Sequence, residues 1–211
     1  MSGPAARCPN CSAPIRFRWS AAVQTVCEHC RSVVVRHDLD LLARGEASEP
    51  PPDSSPIQLG TEGVLDGRAF TVVGRIAYDY EDGGWNEWHL GFADGRSGWL
   101  SDAQLEYAAS SLVPADGPLP PADDVHVGRR LAWKDRELQI TALTKARYRG
   151  VDGDLPFEYW GREWVLFADL RGYNGEFATI DYSGQAPQLY VGRFVAFDEL
   201  SLRNLRAFDR W

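Results

Sequence analysis

The sequence predicts a mainly β protein in which an N-terminal four-cysteine zinc ribbon precedes a duplicated β-barrel or sandwich-like domain built from two similar halves. Three observations support this class. The four cysteines form two C-x2-C pairs near the N-terminus. Short runs rich in valine, isoleucine and aromatic residues alternate with glycine-containing turns, as in strands joined by hairpins. One long segment of the first half aligns without gaps on the second half.

The cysteines have the spacing C-x2-C-x15-C-x2-C, which is typical of a structural zinc site. Zinc prefers four ligands at tetrahedral corners, with sulfur about 2.3 Å from the metal. We therefore predict one structural zinc ion per chain, and segments 15–19 and 23–26 as the strands of the ribbon hairpin. A closed shell of four thiolates leaves no open position for a substrate. The predicted ligands are Cys8, Cys11, Cys27 and Cys30.

Two disulfides are the competing interpretation of these cysteines. The N-terminus has no apolar signal-peptide core, so we expect a cytoplasmic protein in a reducing compartment, which favours zinc. No apolar run reaches the roughly 18–20 residues of a transmembrane helix. Peripheral association with a membrane system stays open.

Two proline-rich stretches divide the chain. The first, at 46–56, predicts an exposed linker, and a helix of one or two turns is expected before it at 39–44. The second, at 114–124, separates the β domain into halves of about 57–113 and 125–211. We therefore expect a zinc ribbon, a short helix with a proline-rich linker, and a duplicated β domain, at 1–37, 38–56 and 57–211.

The two halves of the β domain repeat one another. The alignment places Gly60 on Gly128 and continues without gaps through strands of matching pattern. After a longer loop in the second copy, the frame E-W-x-L recurs, with Trp88 beside Trp164. A duplicated unit folds twice in the same way, so we expect both tryptophans at equivalent buried positions.

The strand WNEWHL has two faces. Its period of two places Trp85, Glu87 and His89 opposite the inward Trp88. We interpret this opposite face as outward and, together with the acidic aromatic run 78–82, as a partner-binding face suited to a cationic partner, a polyamine or an Arg-rich surface. A Glu87–His89 acid–base dyad is the competing interpretation. The predicted contact residues are Trp85, Glu87, His89, Tyr78, Tyr80 and Asp82.

Charge is distributed unevenly. Residues 1–37 hold five arginines and one glutamate, whereas the rest of the chain holds 17 basic and 29 acidic side chains, which together give the net charge of −8. An acidic β domain repels phosphate backbones, which argues against nucleic acid as its partner.

The motifs CPNC and CEHC, with W-x-E-W-x-L and D-G-R-x-G-W-L-S, resemble an uncharacterised bacterial domain-of-unknown-function family, DUF4178, with an N-terminal zinc ribbon. The resemblance covers most of the chain and implies no established activity. It implies neighbours among polyamine-synthesis proteins, small membrane proteins and phage-shock-type membrane-stress proteins, and therefore an accessory role in an envelope-associated system.

The sequence contains no G-x-S-x-G, phosphate-loop or G-x-G-x-x-G motif, and the metal site takes all four thiols. We therefore predict a non-catalytic zinc-ribbon adaptor or regulatory binding protein that acts through a protein partner, accessory to a bacterial membrane-stress or polyamine-linked system. The alternative is a small-molecule or polyamine-binding protein with weak enzymatic activity. Buried carboxylates in a pocket would favour the alternative, and a flat exposed aromatic patch would favour the adaptor.

Overall fold

The computed structural model describes residues 6–37, 40–48, 50, 53–158 and 163–208. This part of the chain forms a three-stranded and a ten-stranded antiparallel sheet, as the predicted mainly β class requires. Its helices are single 3-10 turns, at Ala122–Asp124, Tyr173–Gly175 and Asp198–Leu200. Among the described residues, no helix has the length and apolar character needed to cross a membrane.

The small sheet belongs to the ribbon and consists of β1 (Gln24–Val26), β2 (Ser32–His37) and β3 (Asp40–Glu46), with β2 in the centre. The helix expected at 39–44 is wrong, because residues 40–44 lie in β3 and pair with β2. The strand expected at 15–19 is also wrong. Segment 15–19 bends instead, and two of its backbone N–H groups bind a barrel carboxylate.

The large sheet contains two meanders of five consecutive strands. The first comprises β4 (Glu62–Leu65), β5 (Arg68–Tyr80), β6 (Gly83–Phe92), β7 (Ser97–Ala103) and β8 (Glu106–Val113). The second comprises β9 (Arg130–Trp133), β10 (Arg136–Gly153), β11 (Trp164–Arg171), β12 (Glu176–Asp181) and β13 (Gln188–Val195).

Two further pairings join the meanders into a closed ring. Strand β8 pairs with β13, and β5 pairs with β10, so that β5–β8 and β10–β13 form an eight-stranded barrel. Strands β4 and β9 extend the ring outward along the first residues of β5 and β10. Closure satisfies the backbone groups that an open sheet would leave at its edges.

The geometry of the two halves confirms the predicted duplication. Gly60 and Gly128 both have a left-handed backbone, with φ of 84° and 93°. The N–H of Gly60 donates to the carbonyl of Val72, and that of Gly128 donates to the carbonyl of Ile140, each at 2.8 Å. A β-bulge follows Val72 in β5, and another follows Ile140 in β10. The two copies therefore share turns, hydrogen bonds and irregularities.

The expected equivalence of the two tryptophans is wrong. Strand pairing sets the alignment of the halves, because Val72 lies opposite Leu90 and Ile140 lies opposite Leu170. In this register the counterpart of Trp88 is Ala168. Trp88 is 1% exposed, whereas Trp164 is 56% exposed at the first residue of β11, with the Arg147 guanidinium 5.4 Å from its ring. The recurring E-W-x-L frame is therefore shifted by four residues and has no structural counterpart.

Each half buries its own apolar cluster on the outer face of the ring. In the first half, Trp88 and Leu100 pack beneath Ile57 from the linker and Leu200 from the C-terminal segment. In the second half, Leu170 belongs to a comparable cluster with side chains of β9, β10, β12 and β13. The inner face of the ring is consequently separated from both clusters.

The proline-rich segment before the barrel is not the exposed linker that we predicted. Ala47 and Ser55 are buried, and Ser55 Oγ donates to the Asp102 carboxylate at 2.5 Å. Asp53 forms ion pairs with Arg75 and Arg206. These long-range polar contacts hold the segment on the barrel surface. The ribbon sheet itself continues beyond the expected boundary at residue 37, to the end of β3.

We predict that Trp88→Ala lowers the free energy of unfolding by about 3–5 kcal/mol, because it removes a fully buried indole from a packed cluster. Trp164→Ala is the matched control, and its cost should stay below about 1 kcal/mol because the side chain is mainly exposed. Urea denaturation of both variants measures the difference. Equal losses would show that the outer cluster does not depend on Trp88.

Candidate functional site: a metal centre and a barrel cavity

The four predicted metal ligands meet at one point in the ribbon. Their sulfur atoms all lie within 4.8 Å of one another. The Sγ atoms of Cys8 and Cys30 are 3.7 Å apart, and those of Cys11 and Cys27 are 3.8 Å apart. Sulfurs bound tetrahedrally about 2.3 Å from zinc are separated by about 3.8 Å. The cysteines therefore fit a tetrahedral metal ion without rearrangement.

The same backbone turn shapes both cysteine pairs. The residues that follow the pairs, Ser12 and Arg31, have left-handed φ values of 63° and 59°. The N–H of Ser12 donates to the carbonyl of Cys8, and the N–H of Arg31 donates to the carbonyl of Cys27, each at 2.9 Å. Each of these two matching turns thus brings the two sulfur atoms of its pair to the metal position.

Cys30 is held in a form that suits a metal ligand. A side-chain and then a backbone hydrogen bond with Ser32 lower the pKa of the Cys30 thiol to about 6, and Cys30 Sγ lies 3.2 Å from Ser32 Oγ. The Asn10 side-chain amide also donates to Cys30 Sγ, at 3.7 Å. The thiolate is the species that ligates metal, so Cys30 is favoured as a ligand. Although a backbone hydrogen bond at Ala13 acts to lower it, burial and the three neighbouring cysteines raise the pKa of Cys11 to about 12, so a bound metal has to displace the proton of Cys11.

A buried carboxylate fastens the ribbon to the barrel. Asp154 Oδ2 accepts the backbone N–H groups of Arg18 and Trp19, at 2.6 and 2.8 Å. The backbone carbonyl of Asp154 accepts the Nδ1–H of His89, at 2.8 Å. Burial raises the pKa of Asp154 and lowers that of His89 to about 4. The neutral His89 ring lies between Trp19 and Trp99, with centroids 5.0 Å away on each side.

The barrel encloses a cavity of about 280 Å³, to which all eight ring strands contribute side chains. One wall is aromatic. Tyr78 stacks on Trp85 at a centroid distance of 4.9 Å, and Phe167 meets both rings edge-on, at 5.2 and 5.6 Å. Three acidic side chains lie on strands in the interior of this cavity: Glu87, Asp169 and Asp181.

The interior carboxylates are largely shielded from water, and the positive charge of Arg171 partly compensates the negative charge of Asp169. Burial raises the pKa of all three, and that of Glu87 reaches about 7. Glu87 still accepts hydrogen bonds from Trp85 Nε1 at 2.9 Å and from Ser101 Oγ at 2.8 and 2.9 Å. The negative charges of Asp169 and Asp181 add to the cost of ionising Glu87. A cation entering the cavity would therefore be stabilised by all three groups.

The cavity reaches the surface through exposed lining residues. Glu106 and Arg171 both line it and are both exposed. The Arg171 guanidinium lies on the Phe194 ring, 3.7 Å from its centroid. Among the described residues that line the cavity, Arg171 is the single basic side chain, so the lining as a whole is acidic.

The contact face predicted from WNEWHL is inside the protein, and its outward orientation is wrong. Closure of the sheet turns this face toward the barrel interior. His89 is fully buried and bonds to Asp154, so it forms no dyad with Glu87. Asp82 remains exposed in the turn between β5 and β6. The other predicted contact residues line the cavity: Tyr78, Tyr80, Trp85 and Glu87.

Three carboxylates of these sites went unrecognised in the sequence: Asp154, Asp169 and Asp181. A signal was present for two of them. In FADL and ATIDY, an aspartate stands inside or at the end of an apolar strand rather than in a turn, where it would be solvated. Asp154 follows a glycine and carried no comparable signal.

The family described as "Domain of unknown function (DUF4178)" matches residues 58–197. The matched range contains all ten strands of the large sheet, and the four cysteines precede it. No curated protein and no solved structure matches the chain.

We predict that Glu87→Gln makes stability less dependent on pH. The Glu87 carboxyl has a pKa of about 7 in the fold against a reference of 4.5, so the unfolded chain loses this proton first. The wild-type free energy of unfolding therefore falls as pH rises from about 4.5 to about 7. Glutamine keeps both acceptor bonds without a charge. The free energy of unfolding of the variant should exceed that of the wild type by about 2–3 kcal/mol above pH 7 and by little below pH 4.5.

Urea denaturation at pH 4 and at pH 8 measures this effect, with Glu137→Gln as the control because Glu137 is exposed. A gain of equal size at both pH values would contradict the assignment of a buried, destabilising charge to Glu87.

Proposed function

Because this chain belongs to the DUF4178 family, for which no function is known, we propose its function from its geometry: it is a non-catalytic binding protein that holds a small organic cation in the barrel. One observation carries this proposal, namely a barrel cavity with aromatic walls in which three interior carboxylates outnumber Arg171, the single basic side chain among its described lining residues. Buried carboxylates favour the small-molecule alternative over the flat protein-contact face expected from the sequence.

Charge selects the ligand class. Glu87, Asp169 and Asp181 are ionised only at a cost, because burial raises the pKa of each. An ammonium group would remove part of this cost and donate charge-assisted hydrogen bonds to the free carboxylate lone pairs. The face of Trp85 or Tyr78 can add cation–π attraction. The same carboxylates would repel an anionic ligand.

The size of the cavity and the origin of its carboxylates favour a ligand with more than one amine. A cavity of about 280 Å³ suits a small molecule rather than a peptide segment. Glu87 comes from the first half of the repeat, and Asp169 and Asp181 come from the second. A diamine or short polyamine can therefore address acidic groups of both halves. This chemistry agrees with the polyamine-linked context that the family resemblance implied.

Binding without catalysis is part of the proposal. His89, the candidate base of the competing interpretation, is buried and bonded to Asp154, and the four cysteines lie together in the ribbon site. Glu87 with its raised pKa and the hydroxyl of Ser101 favour a second candidate, a weak amine-processing enzyme, because a carboxylate at about pH 7 can accept a proton. Turnover of an amine by the purified protein, lost in Ser101→Ala, would decide for that candidate.

The regulatory role, the cytoplasmic location and the protein partner stay proposals. An amine-binding barrel with a metal ribbon suits a regulator that reports ligand levels to a partner. Such a partner would contact another surface than the one predicted, since Trp85 and Glu87 line the cavity. Exposed Trp164 beside Arg147 is an aromatic group on the outer face that is available for contact.

We predict that the ribbon metal is zinc, at about one ion per chain, because four thiolates in a closed tetrahedron match its ligand preference. Elemental analysis of the purified protein gives the stoichiometry. Cys27→Ser should lose the metal, whereas Ser12→Ala, beside the first pair, should retain it. Protein that lacks metal and contains two disulfides would contradict the assignment.

We predict that putrescine binds to the purified protein and that uncharged butane-1,4-diol does not, because the carboxylates require positive charge. Glu87→Gln and Asp169→Asn should each weaken the binding of putrescine by about ten-fold or more, which is the effect of losing one charge-assisted hydrogen bond. Asp94→Asn is the control, since Asp94 lies on the exposed β6–β7 turn paired with Arg96. Binding is measured by titration calorimetry.

Putrescine affinity should fall as pH drops below about 7, because protonation of Glu87 removes one of the charges. Equal affinity for the diol, or putrescine binding unchanged in both cavity variants, would contradict the proposed site.

A further inference from the structure

We propose that the cysteine ribbon is a metal-dependent gate at one end of the barrel cavity, so that metal in the ribbon and ligand in the cavity stabilise each other. The gate rests on packing between the ribbon and the barrel. Its effect on ligand binding rests on the proposed function.

Strand β2 connects the two sites through its opposite faces. Val34 packs in one cluster with the metal ligands Cys8 and Cys27. Val33 and Val35 face the other way and pack in a cluster with barrel side chains. Four members of that second cluster also line the cavity: Ile76, Tyr78, Trp99 and Tyr190. A single strand of six residues thus has the metal site on one face and, on the other, a cluster shared with residues that line the cavity.

Backbone pairing holds the ribbon in this position. The N–H groups of Val23 and Gln24 donate to the carbonyl of Leu155, at 2.9 and 3.2 Å, and the N–H of Leu155 donates back to Gln24 at 2.8 Å. Two residues later, Phe157 lines the cavity and stacks on Trp99 at a centroid distance of 5.8 Å. Segment 154–158 therefore contacts the ribbon through Leu155 and through the ion pair of Glu158 with Arg44 in β3, and it lines the cavity between them through Phe157.

A second path runs through aromatic rings. Trp19, in the loop between the cysteine pairs, contacts the His89 ring, and His89 contacts Trp99 in the cavity wall. Asp154 holds two members of this stack, because it accepts the Trp19 N–H and the His89 Nδ1–H. Loss of the ribbon would expose His89 and one side of Trp99.

The docking segment is also what distinguishes the two halves of the repeat. Strands β5 and β6 are joined by residues 81–82 alone, whereas residues 154–163 separate β10 from β11. The ribbon contacts the described part of this longer connection, through Asp154 and Leu155. The insertion that breaks the internal symmetry of the barrel therefore supplies the surface for the ribbon.

Metal dependence follows from the size of the ribbon. The cluster around the cysteines has four buried members, and two of them are the ligands Cys8 and Cys27. So small an apolar cluster cannot hold a fold without its metal. Metal loss would release β2 and withdraw Val33 and Val35 from the barrel end. By thermodynamic linkage, a ligand that binds the closed cavity then strengthens metal binding by the same factor.

Hydrogen exchange of the full chain tests the gate without any ligand. The reduced protein is compared with zinc bound and after removal of zinc by a chelator. We expect exchange in β7 and in segment 154–158 to become about ten-fold faster or more without zinc, while β12, which contributes no residue to the shared cluster, changes little. Unchanged exchange in β7, with a ribbon that exchanges freely, would overturn the gate.

Two matched variants on one strand test the coupling. Val34→Ala weakens the metal side of β2, and Val35→Ala weakens the barrel side, with both valines buried. Zinc release to a chelator is timed with and without saturating putrescine. Putrescine should slow release at least about three-fold in the wild type and in Val34→Ala, and little in Val35→Ala. An identical effect in both variants would overturn coupling through β2.

The two proposals fail in different ways. If putrescine does not bind, the proposed ligand is wrong, and hydrogen exchange still decides whether the ribbon closes the barrel. If putrescine binds and zinc release is insensitive to it, the cavity assignment stands and the gate is overturned.

Discussion

The inner surface of this protein depends on one backbone pairing, that of β5 with β10. Through it, residues 74–80 bond to residues 146–153 and the sheet becomes a ring. Without this pairing, Trp85 and Glu87 would lie on an open face in water. With it, they line the barrel cavity, in which burial raises the pKa of the Glu87 carboxyl to about 7. The chemistry of the site is thus a consequence of closure.

Duplication explains how the ring closes, and divergence explains its cavity. Both seams join equivalent strands of the two halves, β5 to β10 and β8 to β13, so one element pairs with its own copy in each case. The acidic residues do not follow this symmetry. In the register set by strand pairing, Phe167 occupies the position of Glu87, and Asp169 occupies that of His89. A repeated scaffold therefore encloses a site that is not repeated.

Buried polar groups join the metal centre to the barrel. Burying the Asp154 carboxylate is costly, and two backbone N–H groups of the ribbon offset this cost only while the ribbon is docked. His89 depends on the same residue for its Nδ1–H acceptor. Because both backbone N–H groups bind the same carboxylate oxygen, undocking breaks the two bonds together, which favours two discrete arrangements over gradual loosening. These shared contacts support the proposal that metal in the ribbon and ligand in the cavity stabilise each other.

The sequence by itself determined the features that depend on near neighbours. The four cysteines were identified because two short turns bring them together, and the duplication was identified because Gly60 and Gly128 begin a stretch without gaps. Tertiary structure decided the rest. Alternation separates Trp85 and Glu87 from Trp88, but ring closure alone decides which face is enclosed. The longer connection between β10 and β11 shifts Trp164 by four residues relative to Trp88, so the two tryptophans are not equivalent. Ion pairs with distant residues such as Arg206 hold the segment around Asp53 on the barrel surface. Such contacts join residues far apart in the chain, which local patterns do not encode.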